Sequence, residues 1–305
     1  MIERFNALSG NLKGACILMF AAANFALMSA MIKLVGSHLH VTQILFLRQS
    51  GMLILILPSV VGNFPGAFRT RRLSLQLTRL CFALVAMLFG FSAMIHMPLA
   101  DATAIGFAKS FFVTIFAVLL LREKVGVHRW SAVAVGFLGV VIMLRPGTES
   151  FSIYSIYALV GAAAAGVVMV IIRLLSRVDE SATILIYQAL GVAIVMLVPA
   201  IVYWKTPTPF EWLLIAGIGV VSYLAQRANI YAYKWGEASL MASLDYVRLL
   251  YATLLGLWLF GHVPDKFTLL GALVIAGASI YTIHREVKLR RLLTSAADSR
   301  PFVNH

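Results

Sequence analysis

Ten times along this 305-residue chain an apolar stretch of about 16 to 24 residues runs with scarcely a charge, close to the length an α-helix needs to cross a bilayer. The stretches are 13–35, 42–61, 76–96, 101–121, 129–144, 153–173, 181–203, 210–233, 238–260 and 267–284. Each is continuously apolar where a strand of a membrane barrel would alternate, so the reading is an all-α membrane protein with ten transmembrane helices. The first stretch is too long for a signal-peptide core and the pattern continues past it, so it is expected to be retained. No connection is long enough for a soluble domain; the longest, about residues 62 to 75, carries "NFPGAFRTRR" and reads as a turn and a basic anchor.

The net charge of +13 raises the question of a nucleic-acid partner, and the positions of the basic residues answer it. Of the 25 lysines and arginines, seventeen fall on one side of the spans: Arg4, Lys13, Arg69, Arg71, Arg72, Arg79, Arg122, Lys124, Arg129, Arg173, Arg177, Lys234, Arg285, Lys288, Arg290, Arg291 and Arg300. Lys33, Arg145, Lys205 and Lys266 fall on the other, and Arg48, Lys109, Arg227 and Arg248 lie inside spans. By the positive-inside rule both termini are cytoplasmic, as an even helix count also demands, in a multi-pass protein of a bacterial inner membrane. The expected partners are anionic lipid head groups and a small-molecule substrate, with no nucleic acid, in a monomer or a homodimer. The tail "REVKLRRLL" is expected to extend the last helix along the inner leaflet. Cys16 and Cys81 lie within spans, so neither a disulfide nor a metal site is expected, and no cofactor is implied.

The chain carries an internal repeat. "ADATAIGFAKSFFVTIFAVLLL" from Ala100 aligns with "GEASLMASLDYVRLLYATLLGLWLF" from Gly236, setting Asp101 on Glu237, Ala102 on Ala238 and Thr103 on Ser239. After a two-residue slip Leu119, Leu121, Val125, Gly139 and Ile142 face Leu257, Leu259, Val263, Gly277 and Ile280. An odd-numbered unit repeated in tandem inserts its second copy upside down, so the ten helices read as a 5+5 inverted repeat. The halves are residues 1–147 and 148–285, followed by a basic cytoplasmic tail, 286–305. That architecture points to a secondary carrier working by alternating access.

The stretches "PLADATAI…LLLREKVGVHRW…GFLGVVIMLRPG" and "GEASLMASLDYVRLLYATLLGLWLFGHVPDKFTLLGALVIAGASIY" resemble the two halves of the EamA group of the drug/metabolite transporter superfamily. The resemblance implies a ten-helix carrier with a central cavity between two five-helix halves. One departure is His262, where many members have Glu, while the first half keeps Glu123 in the corresponding turn. The group spans amino acids, nucleotide-like metabolites, vitamins and drugs, in uptake and in efflux. The string "VPDKFTLLGALVI" is similar to carriers of S-adenosylmethionine, so uptake of a preformed cofactor such as S-adenosylmethionine or riboflavin stands as the alternative to an amino-acid-like substrate.

The substrate-binding candidates are the polar groups inside spans: Asn24, Arg48, Gln49, Lys109, Tyr187, Gln188, Gln226, Asp245, Tyr246 and Arg248. A charge near the bilayer centre costs on the order of 3 kcal/mol, so each should face a cavity or a partner. The repeat sets Lys109 opposite Asp245, each eight residues into antiparallel helices and therefore about 6 Å apart in depth. Arg248 lies one turn after Asp245 and competes for it. Arg48 is placed either to snorkel outward or, because "FLRQ" resembles the family's second-helix pattern, to face the cavity. Arg48, Lys109 and Arg248 against Asp245 leave the cavity net basic, which favours a zwitterionic or carboxylate-bearing solute.

His38, His40, His96, His262 and His284 sit near span ends and read as solvated interfacial residues, while "GAAAAG" at 161–166 and "GFLG" at 136–139 read as helix-packing surfaces. Phe107, Phe111, Phe112, Tyr246, Tyr251 and Trp258 are candidates for the cavity wall. No His-Glu-x-x-His, Gly-x-Ser-x-Gly, paired membrane aspartates or Cys/His cluster is present, which argues against an enzyme. The remaining alternative of another class is a passive channel, for which no carbonyl filter is visible.

Overall fold

The computed structural model describes residues 10–62, 66–122, 126–145, 152–175, 178–235 and 244–298. Among them are helices α1 (Gly10–Val35), α2 (Val41–Val61), α3 (Leu73–His96), α4a (Leu99–Gly106), α4b (Lys109–Leu121) and α5 (Val127–Leu144), then α6 (Ile153–Leu175), α7 (Ser181–Val202), α8 (Pro209–Trp235), α9 (Val247–Phe260) and α10 (Lys266–Asp298). No strand occurs among the described residues. Seven helices are long and apolar enough to cross a membrane, counting α4a and α4b as one, and α5, α9 and the first part of α10 are shorter apolar helices. Most helical boundaries among the described residues lie within a few residues of those read from hydropathy, because in hydrocarbon every backbone N–H and C=O must be satisfied within its own segment, while α10 runs on past its span to Asp298, as the tail was expected to do. The residues opening the ninth span, with Glu237, Ala238 and Ser239, and the turn holding Glu123 and Val125 lie outside the described residues.

The packing follows the repeat. Helix α1 packs on α8 as α3 packs on α6, and α1 meets α9 as α6 meets the two pieces of α4. The pairs α2–α7 and α5–α10 cross the symmetry axis itself. Exchanging each helix of the first half with its counterpart in the second maps this set of neighbours onto itself, as an inverted repeat requires. Even the prolines correspond, Pro58 inside α2 and Pro199 inside α7.

Small residues allow the close approaches. A Cβ on Gly139 would lie 2.9 Å from the Gly271 carbonyl oxygen, and one on Gly271 would lie 2.6 Å from that of Gly139, so the α5–α10 seam has backbone against backbone. A Cβ on Gly161 would come within 3.0 Å of the Gly90 nitrogen across α3–α6. The "GFLG" and "GAAAAG" runs are therefore packing surfaces, as small residues in membrane helices usually are. Trp258, a candidate for the cavity wall, is 81 % exposed and faces outward, where lipid would be.

One end of the bundle carries Arg69, Arg71, Arg72 and Arg122 and is called the basic face; the other carries Ser37, Met97 and Lys205 and is called the sparse face. On the basic face Asp179, between α6 and α7, accepts hydrogen bonds from the Thr70 hydroxyl (2.5 Å), the Arg71 N–H (3.2 Å) and Gln76 Nε2 (2.9 Å). On the sparse face Gln43 of α2 exchanges two hydrogen bonds with the Lys205 backbone (2.8 and 3.1 Å), and His38 pairs with Glu211 at 2.9 Å. The two staples are symmetry mates, each tying the segment after one half's second helix to the loop before, or the first turn of, the other half's second helix.

Burial alone would raise the Asp179 carboxyl, but the bonds from Thr70, Arg71 and Gln76 and the Arg71 charge outweigh it and hold the group below its ordinary 3.8. A depressed carboxylate contributes stability above its unfolded pKa and loses it as pH falls through the folded one. Acidification below about pH 4 should therefore loosen the basic-face staple, seen as faster proteolysis between α2 and α3. Asp179→Asn should flatten that pH dependence.

Candidate functional site

The fourth span, expected to be an unbroken helix, is interrupted. At Phe107 and Ala108 the chain tightens into a 3₁₀ turn, with Phe107 N–H bonded to Ala104 and Ala108 N–H to Ile105, before α4b resumes at Lys109. The offset that pairs Leu119 with Leu257 carries Phe107 to Asp245 and Ala108 to Tyr246, and there the ninth span turns in the same way. Ala108 has φ −57° and ψ −18°; Tyr246 has φ −64° and ψ −17°. The two breaks meet, for the Phe107 and Tyr246 rings lie 4.6 Å apart. A mid-helix 3₁₀ turn often marks a hinge, and paired broken helices are where inverted-repeat carriers place their sites.

The breaks deliver cations to the middle of the protein. Lys109 opens α4b, Arg248 lies in the first turn of α9, and both line a cavity of about 170 Å³ closed by Thr103 and the small residues Gly90, Gly161 and Ala162 of α3 and α6. The Asp245 charge acts on both Lys109 and Arg248. Two buried polar atoms at this cavity, Arg248 Nε and Thr103 Oγ1, have no hydrogen-bond partner among the described residues. The Ser110 and Phe111 N–H groups at the start of α4b are already bonded, to Phe107 and Ala108, so the attraction for an anion comes from side chains and not from a bare helix end.

The ten candidate residues do not form one cluster. Lys109, Asp245, Tyr246 and Arg248 lie together at the breaks. Arg48 does not snorkel: it is 5 % exposed, donates to Ser222 Oγ (3.2 Å) and Gln49 Oε1 (2.6 Å), and lies over the Phe91 ring. Gln226 donates to Met52 Sδ at 3.5 Å in the same α2–α8 seam. Tyr187 and Gln188 belong to the basic-face staple, with the Tyr187 hydroxyl on the Phe68 carbonyl and Gln188 on Arg79. Asn24 bonds back to Phe20 of its own helix. Of the ten, only Lys109 and Arg248 border the central cavity.

Three residues taken for flanking charges or passed over are structural anchors. Lys33 is buried and its Nζ donates to the carbonyls of Met94, Ile95 and Met97, the last at 2.6 Å, capping the C-terminus of α3. Arg79, counted among the basic anchors, is 1 % exposed, with Nη1 donating to the Ile184 carbonyl at 2.8 Å. Asp101 sits within reach of charges on Lys33, Arg145 and His262 and bonds to Thr268, drawing together both halves at the sparse face. Hydropathy places such residues at a span end without saying which way they turn; a basic residue one turn inside an apolar run was the available signal for Arg79.

Comparison with known proteins names the architecture. Residues 12–145 and 152–283 each match the model of the EamA-like transporter family. The chain is 29 % identical to the S-adenosylmethionine uptake transporter of Rickettsia prowazekii, covering 93 % of this chain and 96 % of that one. It is 28 % identical to the riboflavin transporter of Vibrio cholerae, over 92 % and 96 % of the two chains. It is also 31 % identical to the pseudopaline exporter CntI of Pseudomonas aeruginosa, over 88 % and 94 %. A solved crystal structure matches in fold, with a TM-score of 0.61 at 17 % identity over 92 % of this chain and 99 % of that one. With both halves matching one repeat each and the helix pairing symmetric between them, the chain belongs to the EamA-like transporter family, a multi-pass bacterial membrane protein that carries small metabolites.

Proposed function

We propose that this protein is an alternating-access carrier for a small zwitterionic or carboxylate-bearing metabolite, whose carboxylate is held between Lys109 and Arg248. The observation that carries this reading is the central cavity lined by two half-buried cations that share one nearby acid, with two polar atoms unpartnered among the described residues. A carboxylate displacing Asp245 from one cation would satisfy Arg248 Nε and Thr103 Oγ1 while keeping the charge balanced. The 3₁₀ turns at Phe107–Ala108 and Asp245–Tyr246 would serve as the hinges. The two staples, on opposite faces, would open in turn, with the basic face cytoplasmic.

The cavity of about 170 Å³ is below the 300–1,000 Å³ usual for drug-sized ligands, so in this conformation it suits the carboxylate end of a substrate and not the whole of a large one. S-adenosylmethionine has such an end, and the similarity to the Rickettsia uptake transporter makes it the first compound to try. Riboflavin, which lacks a carboxylate, is the second reading, favoured by the similarity to riboflavin transporters such as that of Vibrio cholerae. Counterflow in proteoliposomes decides among them. A carboxylate-bearing substrate should exchange saturably, its methyl ester should not, and Lys109→Gln should abolish the exchange. Non-saturable flux would make the protein a channel, and full activity of Lys109→Gln would move the site elsewhere.

A further inference from the structure

A second, larger cavity of about 600 Å³ opens on the sparse face between the α1–α2 turn, the end of α3, the start of α6 and the end of α7. It shares no lining residue with the central cavity: α3 gives it Ser92, Ile95 and His96, and gives the other Ala86, Gly90 and Met94. The histidines here were expected to be solvated interfacial residues; they are exposed, but His40 and His96 also make defined ring contacts. His96 stacks on Tyr154 with ring centroids 4.1 Å apart and planes 2° from parallel, and His40 stacks on Tyr203 at 4.5 Å. Each imidazole is pinned through Nδ1, to the Ser92 carbonyl at 2.9 Å and to Thr42 Oγ1 at 2.7 Å. Tyr157 stands at 81° to Tyr154, and Trp204 completes the set of rings.

The charge in this cavity is of one sign. Its lining holds Lys205 and three histidines and no carboxylate among the described residues. Glu211 reaches its rim only through His38. Burial, and then the charge of Lys205, hold His40 below its ordinary pKa, so that ring stays neutral near pH 7 and the lysine is the fixed cation. Interfacial aromatics of a membrane protein ordinarily form a belt facing lipid head groups. These instead wall a concavity whose volume lies in the range of small-molecule sites.

We propose that this cavity is a second binding site, for a planar heteroaromatic ring bearing an anionic group, with the Tyr154–His96 and Tyr203–His40 stacks as platforms and Lys205 as the anion's partner. Stacking is tolerant of ring identity because every such ring offers a π-face, so the site selects a class of ligand more than a single compound. It stands independently of the central cavity and of whatever that cavity carries.

Flavin mononucleotide tests the proposal, because its fluorescence is quenched on stacking, and riboflavin is the same ring without the phosphate. With the full-length protein in detergent, flavin mononucleotide should be quenched saturably and bind more tightly than riboflavin. Tyr154→Ala should weaken it about tenfold, the scale of one lost stacking platform, while Tyr154→Phe keeps it. Lys205→Gln should narrow the gap between the two flavins about threefold. Lys109→Gln, which should abolish transport, should leave this quenching unchanged, so failure here and failure of the central-site reading are separable. Absence of saturable quenching, quenching indifferent to Tyr154→Ala and Lys205→Gln, or its loss in Lys109→Gln would each overturn the proposal.

Discussion

Replacing Asp245 with Asn should cut counterflow at least about tenfold and destabilise the protein by several kcal/mol, because it leaves Lys109 and Arg248 facing each other without the acid that balances them. Lowering the charge on the other side should partly repair the stability. In the double variant Lys109→Gln/Asp245→Asn, one uncompensated cation is gone, and a double-mutant cycle on thermal unfolding should show a coupling of about 0.5–3 kcal/mol. Transport should not return, since the substrate's own partner has been removed. Additive effects of the two changes, or an Asp245→Asn carrier of ordinary activity, would show that the acid does not serve these cations. The same variant bears on what drives the cycle. An imposed pH gradient should not drive accumulation if Asp245 serves only as a latch, whereas accumulation that collapses with a protonophore and vanishes in Asp245→Asn would make it a proton site.

Arg79→Ala should be the most damaging change in the basic-face staple, costing about 3 kcal/mol or more. The guanidinium, 1 % exposed, donates to the Ile184 carbonyl and to Gln188 of α7 and to Gln76 of its own helix, and Gln76 in turn donates to Asp179. Removing it takes these bonds away from Ile184, Gln188 and Gln76 and opens a void between the halves. Arg79→Lys should recover little, because a single ammonium cannot reach two sites in the fork geometry of a guanidinium. Arg69→Ala, at an exposed position on the same face, should change stability by no more than about 0.5 kcal/mol. Thermal unfolding in detergent compares the three, and an Arg79→Ala variant as stable as Arg69→Ala would remove the network from any structural role.

Helix number, most helix limits, the repeat and the small-residue seams were legible in the sequence, for one reason. A bilayer imposes a single length and a single solvent on every span, so hydropathy reports segments directly, and Gly139 or Gly161 in an apolar run has little use but close packing. The repeat likewise put Lys109 and Asp245 near one depth, although the register at the breaks pairs Asp245 with Phe107 and sets Lys109 two residues further on. What only the tertiary structure decided was direction and interruption. Arg48 reads equally well as snorkelling or buried until Ser222 of α8 is seen beside it, and Arg79 looks like a flanking charge until Ile184 and Gln188 of α7 close over it. The turns at Phe107 and Asp245 carry no proline, and the charges beside them do not by themselves announce a break; it is visible only where Phe107 and Tyr246 meet across the axis. Along a membrane helix each side chain's surroundings are set by whichever helix packs there, and that is a property of the folded bundle, which no local pattern of residues encodes.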